Sequence, residues 1–306
     1  MSIEKNARRI LAVAAAFALV VLFGPGSQFA YYGEPQRSFL VSGFLRTESR
    51  GQTEQPPAYD TSGYDRLLHR YVTDNGWVNY AGLARERGEL NRFLGGLGKI
   101  SPNEFNNKED RLAFWINAYN AFTLADVLDT VYGKHQSVRQ VRGFFDGRRH
   151  LVAGEQLTLD EIEKRGRDLH DPRIHFAIVC ASASCPKLQR FAYTGAKLDS
   201  ELEQAAREFL ADKHRGLRFD PKGNEIYVSP IFKWYAGDFT STWGGAGSLW
   251  ARAEATVSGS DLLNFIAHYA PPEVARQIQE HAPVVHYLDY DWSLNSLDTH
   301  SPGTKP

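Results

Sequence analysis

The chain has 306 residues, 42% of them hydrophobic, and 35 lysines and arginines against 36 aspartates and glutamates give it a formal charge of −1. That apolar content suffices for the core of one large domain or two small ones. Acidic and basic residues are interspersed, so the basic footprint that a nucleic-acid surface requires is missing and nucleic acid is excluded as an expected partner.

The N-terminus, MSIEKNARRI, carries Lys5, Arg8 and Arg9 and runs into LAVAAAFALVVLF, apolar to Phe23 and followed by Gly24-Pro25-Gly26. A positive flank before a short apolar core has the form of a secretory signal, somewhat short for a membrane span. Ala30 has Gln28 two residues before it, so a small-x-small cleavage site is lacking. An uncleaved anchor with the bulk outside the inner membrane is the alternative. The organisation expected is a signal peptide or membrane anchor over residues 1–30, a linker rich in Gly, Ser, Gln, Glu and Pro over 31–58, a folded domain over 59–295 and a disordered tail over 296–306. The location implied is the cell envelope, either periplasmic or anchored to the inner membrane and facing the periplasm.

Within the domain, YDRLLHRYV spaces Tyr64, Leu67, Leu68 and Tyr71 as one helical face, and GWVNYAGL reads as a short strand turning into a helix. GELNRFLGGLGKI is an amphipathic helix closed by Gly98. The next helix, EDRLAFWINAYNAFTLADVLDTVYG, is apolar or small at nearly every position from Leu112 to Val131, which predicts burial on all sides. Its exceptions, Asn117, Asn120 and Thr123, fall three apart on one stripe. Buried amides need partners, so they either tie the helix to its neighbours or floor a polar pocket.

RRHLVAGEQLTLDEIEK reads as a strand and then a helix whose Thr158 and Glu161 form a capping box. HFAIVCASASCPKL reads as a strand running out into a loop of small residues with Cys180 and Cys185 at its ends. LDSELEQAAREFLADK is a surface helix, and LRFDPKGNEIYVSP alternates on both sides of a turn as a hairpin. Pro230 suits an early position of the helix in SPIFKWYAGDF, and the Gly- and Ser-rich stretch from Ser241 to Ser248 reads as a loop. SDLLNFIAHYA, stopped by Pro271-Pro272, and PEVARQIQEHA are the last helices, and VVHYLDYDWSLN opens as a strand. The fold class is α+β, a single domain of helices packed on a small, mostly antiparallel sheet.

Four motifs in series, FWINAYNAF, HFAIVCASASCPKL, SPIFKWYAGDF and YDWSLN, resemble the family known as domain of unknown function 547, from about Tyr64 to Asn295. The resemblance implies a set of mostly secreted bacterial proteins and plant proteins with no settled reaction to carry over. A more distant resemblance is to transglutaminase-like cysteine hydrolases, in the order of a buried helix, a histidine-bearing strand and later acidic strands. There the nucleophilic cysteine opens the buried helix; here that helix offers Asn117 and Asn120 but no cysteine.

Two readings of the cysteine loop stand side by side. In an oxidising compartment Cys180 and Cys185 pair, and the four small residues between them let the bridge shape a recognition loop in a non-catalytic binding or scaffold domain. Alternatively Cys185 is the nucleophile of a hydrolase or acyl transferase, with His175 as base and Asp291 or an amide of Asn117 or Asn120 as orienter or oxyanion donor. Ser182 and Ser184 lack a nucleophile elbow. Asn117, Asn120, Trp234, Tyr235 and Trp292 are the candidate pocket residues, with Asp238, Phe239 and Asp289 from the same two stretches as further walls. The spacing is not CxxC, which disfavours thiol-disulfide exchange. No CxxC pair, HExxH, EF-hand or phosphate-loop pattern occurs, so neither metal nor cofactor is expected. The partner expected is a small molecule or peptide, with the membrane reached only through the N-terminal segment.

Overall fold

The computed structural model describes residues 59–243 and 259–300. The expected signal or anchor, the linker and the loop beyond Trp243 lie outside them. Among the described residues no helix is long and apolar enough to cross a membrane.

Helix α4 (Lys108–Asp126) is the axis of the domain. Asn107 caps it by accepting from the Asp110 N–H, Glu109 and Asp110 occupy its positive end, and every residue from Leu112 to Asp126 is buried. Around it pack α1 (Ser62–Tyr71), α2 (Tyr80–Arg85), α3 (Arg87–Leu97) and α5 (Leu159–Arg167), which bring Tyr64, Leu83, Leu90 and Ile162 into one apolar cluster. Helix α5 starts at the expected Thr158–Glu161 capping box. Gly166 lets it approach α4, because a Cβ there would sit 2.5 Å from the Ile174 Cδ1 and 3.4 Å from the Trp115 Cβ. The segment read as a strand before α5 is a hairpin, β1 (His150–Val152) against β2 (Glu155–Leu157).

A second apolar cluster gathers Phe209 of α6 (Leu198–Ala211), Phe232 of α7 (Ile231–Trp234), Phe239 of α8 (Ala236–Trp243) and Phe265 of α9 (Gly259–Tyr269). Phe176 stands at its centre, 5.2 Å from Phe209, 5.9 Å from Phe232 and 5.9 Å from Phe239 between ring centroids. The expected hairpin is present as β3 (Leu217–Asp220) and β4 (Glu225–Val228), and β5 (Val284–Tyr287) adds to β4 in parallel after α10 (Pro272–His281). The domain is α+β, with two small sheets, one antiparallel and one mixed.

Two expectations change. The segment from His175 is not a strand: Asp171 caps a 3₁₀ turn over Pro172–Phe176, the N–H groups of Ala177 and Ile178 bond back to the Ile174 carbonyl, and an irregular stretch follows. In place of a strand neighbour Asn120 holds it, its amide NH₂ donating to the Ala177 carbonyl (2.9 Å) and its oxygen accepting from the Val179 N–H (2.8 Å). The stretch read as the start of a tail is structured up to His300. Asn295 and Ser296 lock onto Val78 and Tyr80, helix α11 (Leu297–His300) follows, and the His300 ring stacks on Trp77 at 4.0 Å.

Replacing Asn120 by Ala leaves one buried donor and one buried acceptor without partners. Chemical denaturation is expected to show a loss of about 2–4 kcal/mol; a loss below about 1 kcal/mol would mean that the amide does not hold the segment.

Candidate functional site

The seam between the two clusters holds the chemistry. Ile174 packs into the cluster around α4 and Phe176 into the second one, so His175 between them is fixed by apolar contacts on both sides. Its ring lies 4.1 Å from Tyr235 and 5.2 Å from Phe239. Its Nε2 meets the Asp238 Oδ2 at 2.8 Å, and Asp238 also accepts from the Arg167 Nε at 2.7 Å.

Burial lowers the His175 pKa, while Asp238 pulls the other way. The hydrogen bonds from His175 and Arg167, with the charge of Arg167, hold Asp238 well below the usual carboxylate range against the opposing cost of burial. A neutral imidazole that donates from Nε2 to an ionised Asp238 keeps its lone pair on Nδ1, which is the form of a base.

Cys180 and Cys185 are joined as a disulfide, with Cα atoms 6.4 Å apart. Asn120 delivers Cys180 through the irregular stretch. Ala181 takes a left-handed conformation (φ 62°), and the Cys185 N–H closes the turn onto the Ser182 carbonyl at 3.1 Å. A strap from Asp291 to Asn295 holds the loop: the N–H groups of Ala183 and Ser184 donate to the carbonyls of Ser293 and Asp291, and the Asn295 N–H donates to the Ala181 carbonyl.

Two donors stand at the Cys185 sulfur. The Cys180 N–H lies 3.0 Å and the Tyr290 hydroxyl 3.3 Å from Sγ. The same hydroxyl lies 3.4 Å from the Cys180 Sγ and accepts from the Ser182 hydroxyl at 3.1 Å. Burial pushes the Tyr290 phenol up to about 12, so it stays protonated and able to donate.

These groups share a cleft of about 160 Å³ whose walls include His175, Cys180, Cys185, Tyr235, Trp234 and Trp292. At its rim Trp234, Tyr290 and Trp292 form a cluster with centroids 4.6–5.7 Å apart, and the Arg139 guanidinium sits 5.1 Å over Trp292. A larger, open cleft of about 720 Å³ shares no residue with it, although Ala183 and Ser184 of the same loop line it together with Asp291. Its cations Lys187 and Arg215 face Glu208 and Asp212 at 2.9 and 3.6 Å. The smaller cleft is the better candidate, because it alone combines the buried histidine with the sulfurs.

Residues 102–210 match the model of the family described as a protein of unknown function, DUF547. The matched segment carries Asn117, Asn120, His175 and both cysteines, and it supports the resemblance to this family. The match contains two of the four motifs that resemble this family, FWINAYNAF and HFAIVCASASCPKL, and ends before SPIFKWYAGDF and YDWSLN. No curated protein and no solved structure shows significant similarity to the chain.

Of the expected residues, the structure brings Cys185, His175, Trp234, Tyr235 and Trp292 together. Asp291 is elsewhere: its Oδ1 accepts from the Ser293 N–H at 2.8 Å, and its N–H donates to the Ser184 hydroxyl oxygen at 2.9 Å, so it shapes the strap. The aspartate beside His175 is Asp238, from the motif read only as a wall. Asn117 and Asn120 do not line the cleft. The first ties α4 to Tyr193 through both its donor and its acceptor and also donates to the Tyr59 hydroxyl.

Glu163 was not among the sequence candidates. It lies on the buried face of α5, 3.7 Å from Arg167, and burial pushes its carboxyl up to about 7 against the opposing pull of Tyr235 and Arg167. Because that value is above the ordinary 4.5, Glu163 favours the folded state when protonated and loses that favour as pH rises through about 7. Denaturation of wild type and Glu163→Gln at about pH 4 and about pH 8 is expected to show the variant gaining on the order of 2–3 kcal/mol relative to wild type at the higher pH. An unchanged difference would contradict the raised carboxyl.

Proposed function

We propose that this domain is a thiol-dependent acyl hydrolase or acyl transferase, latent while Cys180 and Cys185 are joined. The observation that carries the reading is the convergence, in one cleft, of the His175–Asp238 pair with the Cys185 sulfur, on which the Cys180 N–H and the Tyr290 hydroxyl are directed. Those two donors favour the thiolate over the thiol, and a neutral histidine is able to take its proton.

A dithiol reductant supplies two electrons and two protons, opening the bond to two thiols and leaving as its own disulfide. Cys185 then gives its proton to His175, whose imidazolium Asp238 stabilises. The thiolate attacks the carbonyl carbon of an ester, thioester or amide, the bond to the leaving group breaks, and a thioester forms on Cys185. Water resolves it in a hydrolase, or an amine or alcohol in a transferase. A cleft of about 160 Å³ suits a short acyl group or a single side chain of a peptide.

The place of action we propose is the cell envelope, with the bulk of the chain outside the inner membrane. The support is the charged and apolar N-terminal segment, together with a disulfide that fits an oxidising compartment. There the latch stays closed until a dithiol arrives.

One observation favours a second reading, a binding domain whose bridge fixes a recognition loop: Ala181, Ala183 and Ser184 of the loop bond to the strap in the oxidised form. The two readings part on the variants. With a short-chain p-nitrophenyl ester as probe, the acyl-transfer reading expects turnover by wild type only after dithiothreitol. Cys180→Ala should turn over without reductant, and Cys185→Ala should lose at least about 10²-fold. Equal turnover by Cys185→Ala, or none by the reduced wild type, would leave the binding reading.

A further inference from the structure

Glu163 is the one buried carboxylate of the cleft that the steps above leave unused. It lies where the cleft adjoins a polar groove of about 500 Å³: both are lined by Asp160, Glu163 and Tyr235, and the groove continues along Lys164, Arg167 and Asp238. A leaving group expelled from an acyl carbon beside Cys185 has this groove as the adjoining space. The Glu163 side chain is about one-tenth exposed, and it lines the cleft beside Tyr235, the ring that stacks on His175. One aromatic residue thus touches the base and shares both clefts with the carboxyl.

We propose that Glu163 is the general acid of this site, giving its proton to the leaving atom, with Tyr235 as the positioning residue that aims it. The inference rests on the acyl-transfer reading and deepens it. In acylation the Cys185 proton passes to His175, the C–S bond forms, the bond from carbon to the leaving atom breaks with its electron pair on that atom, and Glu163 protonates it. In deacylation the Glu163 carboxylate takes a proton from the attacking water and His175 returns its proton to the departing sulfur. Both groups end as they began, and ester plus water has become acid plus alcohol.

The environments of the two groups fit these roles, since burial disfavours the charged form of both, lowering the His175 pKa and raising that of Glu163 to about 7. The groups facing Glu163 are Arg167 and Asp160 on its own helix, Tyr235 and Asp238 from the α7–α8 region, and Tyr119 from α4. Arg167 lowers the carboxyl, whereas Asp160 and Asp238 raise it.

Leaving-group chemistry separates this role from a structural one. A p-nitrophenolate departs without a proton, whereas an ethoxide requires one. In reduced full-length protein, the burst of p-nitrophenolate from a short-chain p-nitrophenyl ester is expected to stay within about 3-fold of wild type in Glu163→Gln. Acylation of Cys185 by the ethyl ester of the same acid, followed by mass spectrometry, should fall by about 10²-fold or more. In wild type that second rate should fall as pH rises through about 7 while the burst rate does not. Tyr235→Phe should give the same split in weaker form.

Equal slowing of both esters in Glu163→Gln, together with slower alkylation of Cys185 by iodoacetamide, would assign Glu163 a structural role and overturn the inference. No effect on either ester would overturn it too, while leaving Cys185 as nucleophile intact. A burst that survives in Cys185→Ala, or is missing from reduced wild type, would remove the underlying reading and this one with it.

Discussion

The side chain of Asn120 is the contact on which the site depends. It projects from the buried helix α4 and bonds the Ala177 carbonyl and the Val179 N–H, in place of a neighbouring strand. His175 lies two residues before that grip and Cys180 one residue after it. Because the amide is 3% exposed, water does not compete for either bond, and breaking them would orphan groups that have no other partner. The position of the base and of the sulfurs relative to α4 follows from this one pair of bonds.

Around that fixed point the site separates its charges. The cation Arg167 and the anion Asp238 sit at the cleft edge, partly solvated, and His175, nearly fully buried, is bonded to the anion. Glu163 lies on the other side of Tyr235 with its carboxyl raised by burial. A carboxylate held ionised, an imidazole biased toward its neutral form and a carboxyl raised to about 7 therefore stand in one cluster, a distribution that suits proton transfer. On the acyl-transfer reading proposed above, the disulfide adds a second level of control, because Cys185 has no thiol until the bond is opened.

Much of the fold was legible in the sequence because it rests on local signals. The apolar run from Leu112 is a buried helix to Asp126, although its expected last turn, Val127–Val131, is a π turn that exposes Asp129; Thr158 and Glu161 spell a capping box, and the alternation around Pro221-Lys222-Gly223-Asn224 is a hairpin. The misread segment, from His175 to Cys180, has a strand-like composition, but Asp171-Pro172 opens a 3₁₀ turn and an amide 57 residues away replaces the ladder. The site was legible in part. Cys185, His175 and the aromatic walls were found from residue type and motif, whereas the choice of Asp291 over Asp238 turned on a pairing across 63 residues that no local pattern encodes. Glu163 was hidden for another reason: in LDEIEKRGR it reads as one more charge on an amphipathic helix, and only the packing of Ile162, Glu163 and Gly166 against the core shows that it faces inward.

The central claim, that the His175–Asp238 pair activates the Cys185 sulfur, is tested most directly by the pH profile of its alkylation. Reduced protein is treated with iodoacetamide, and Cys180 and Cys185 are read separately by mass spectrometry. The account predicts that Cys185 reacts faster than Cys180, with an apparent pKa below the ~8.5 of a free thiol, and that His175→Ala raises that pKa and slows the reaction near neutral pH. A Cys185 that titrates like a free thiol and is indifferent to His175 would contradict it, and would leave the bridge as the fastening of a binding loop.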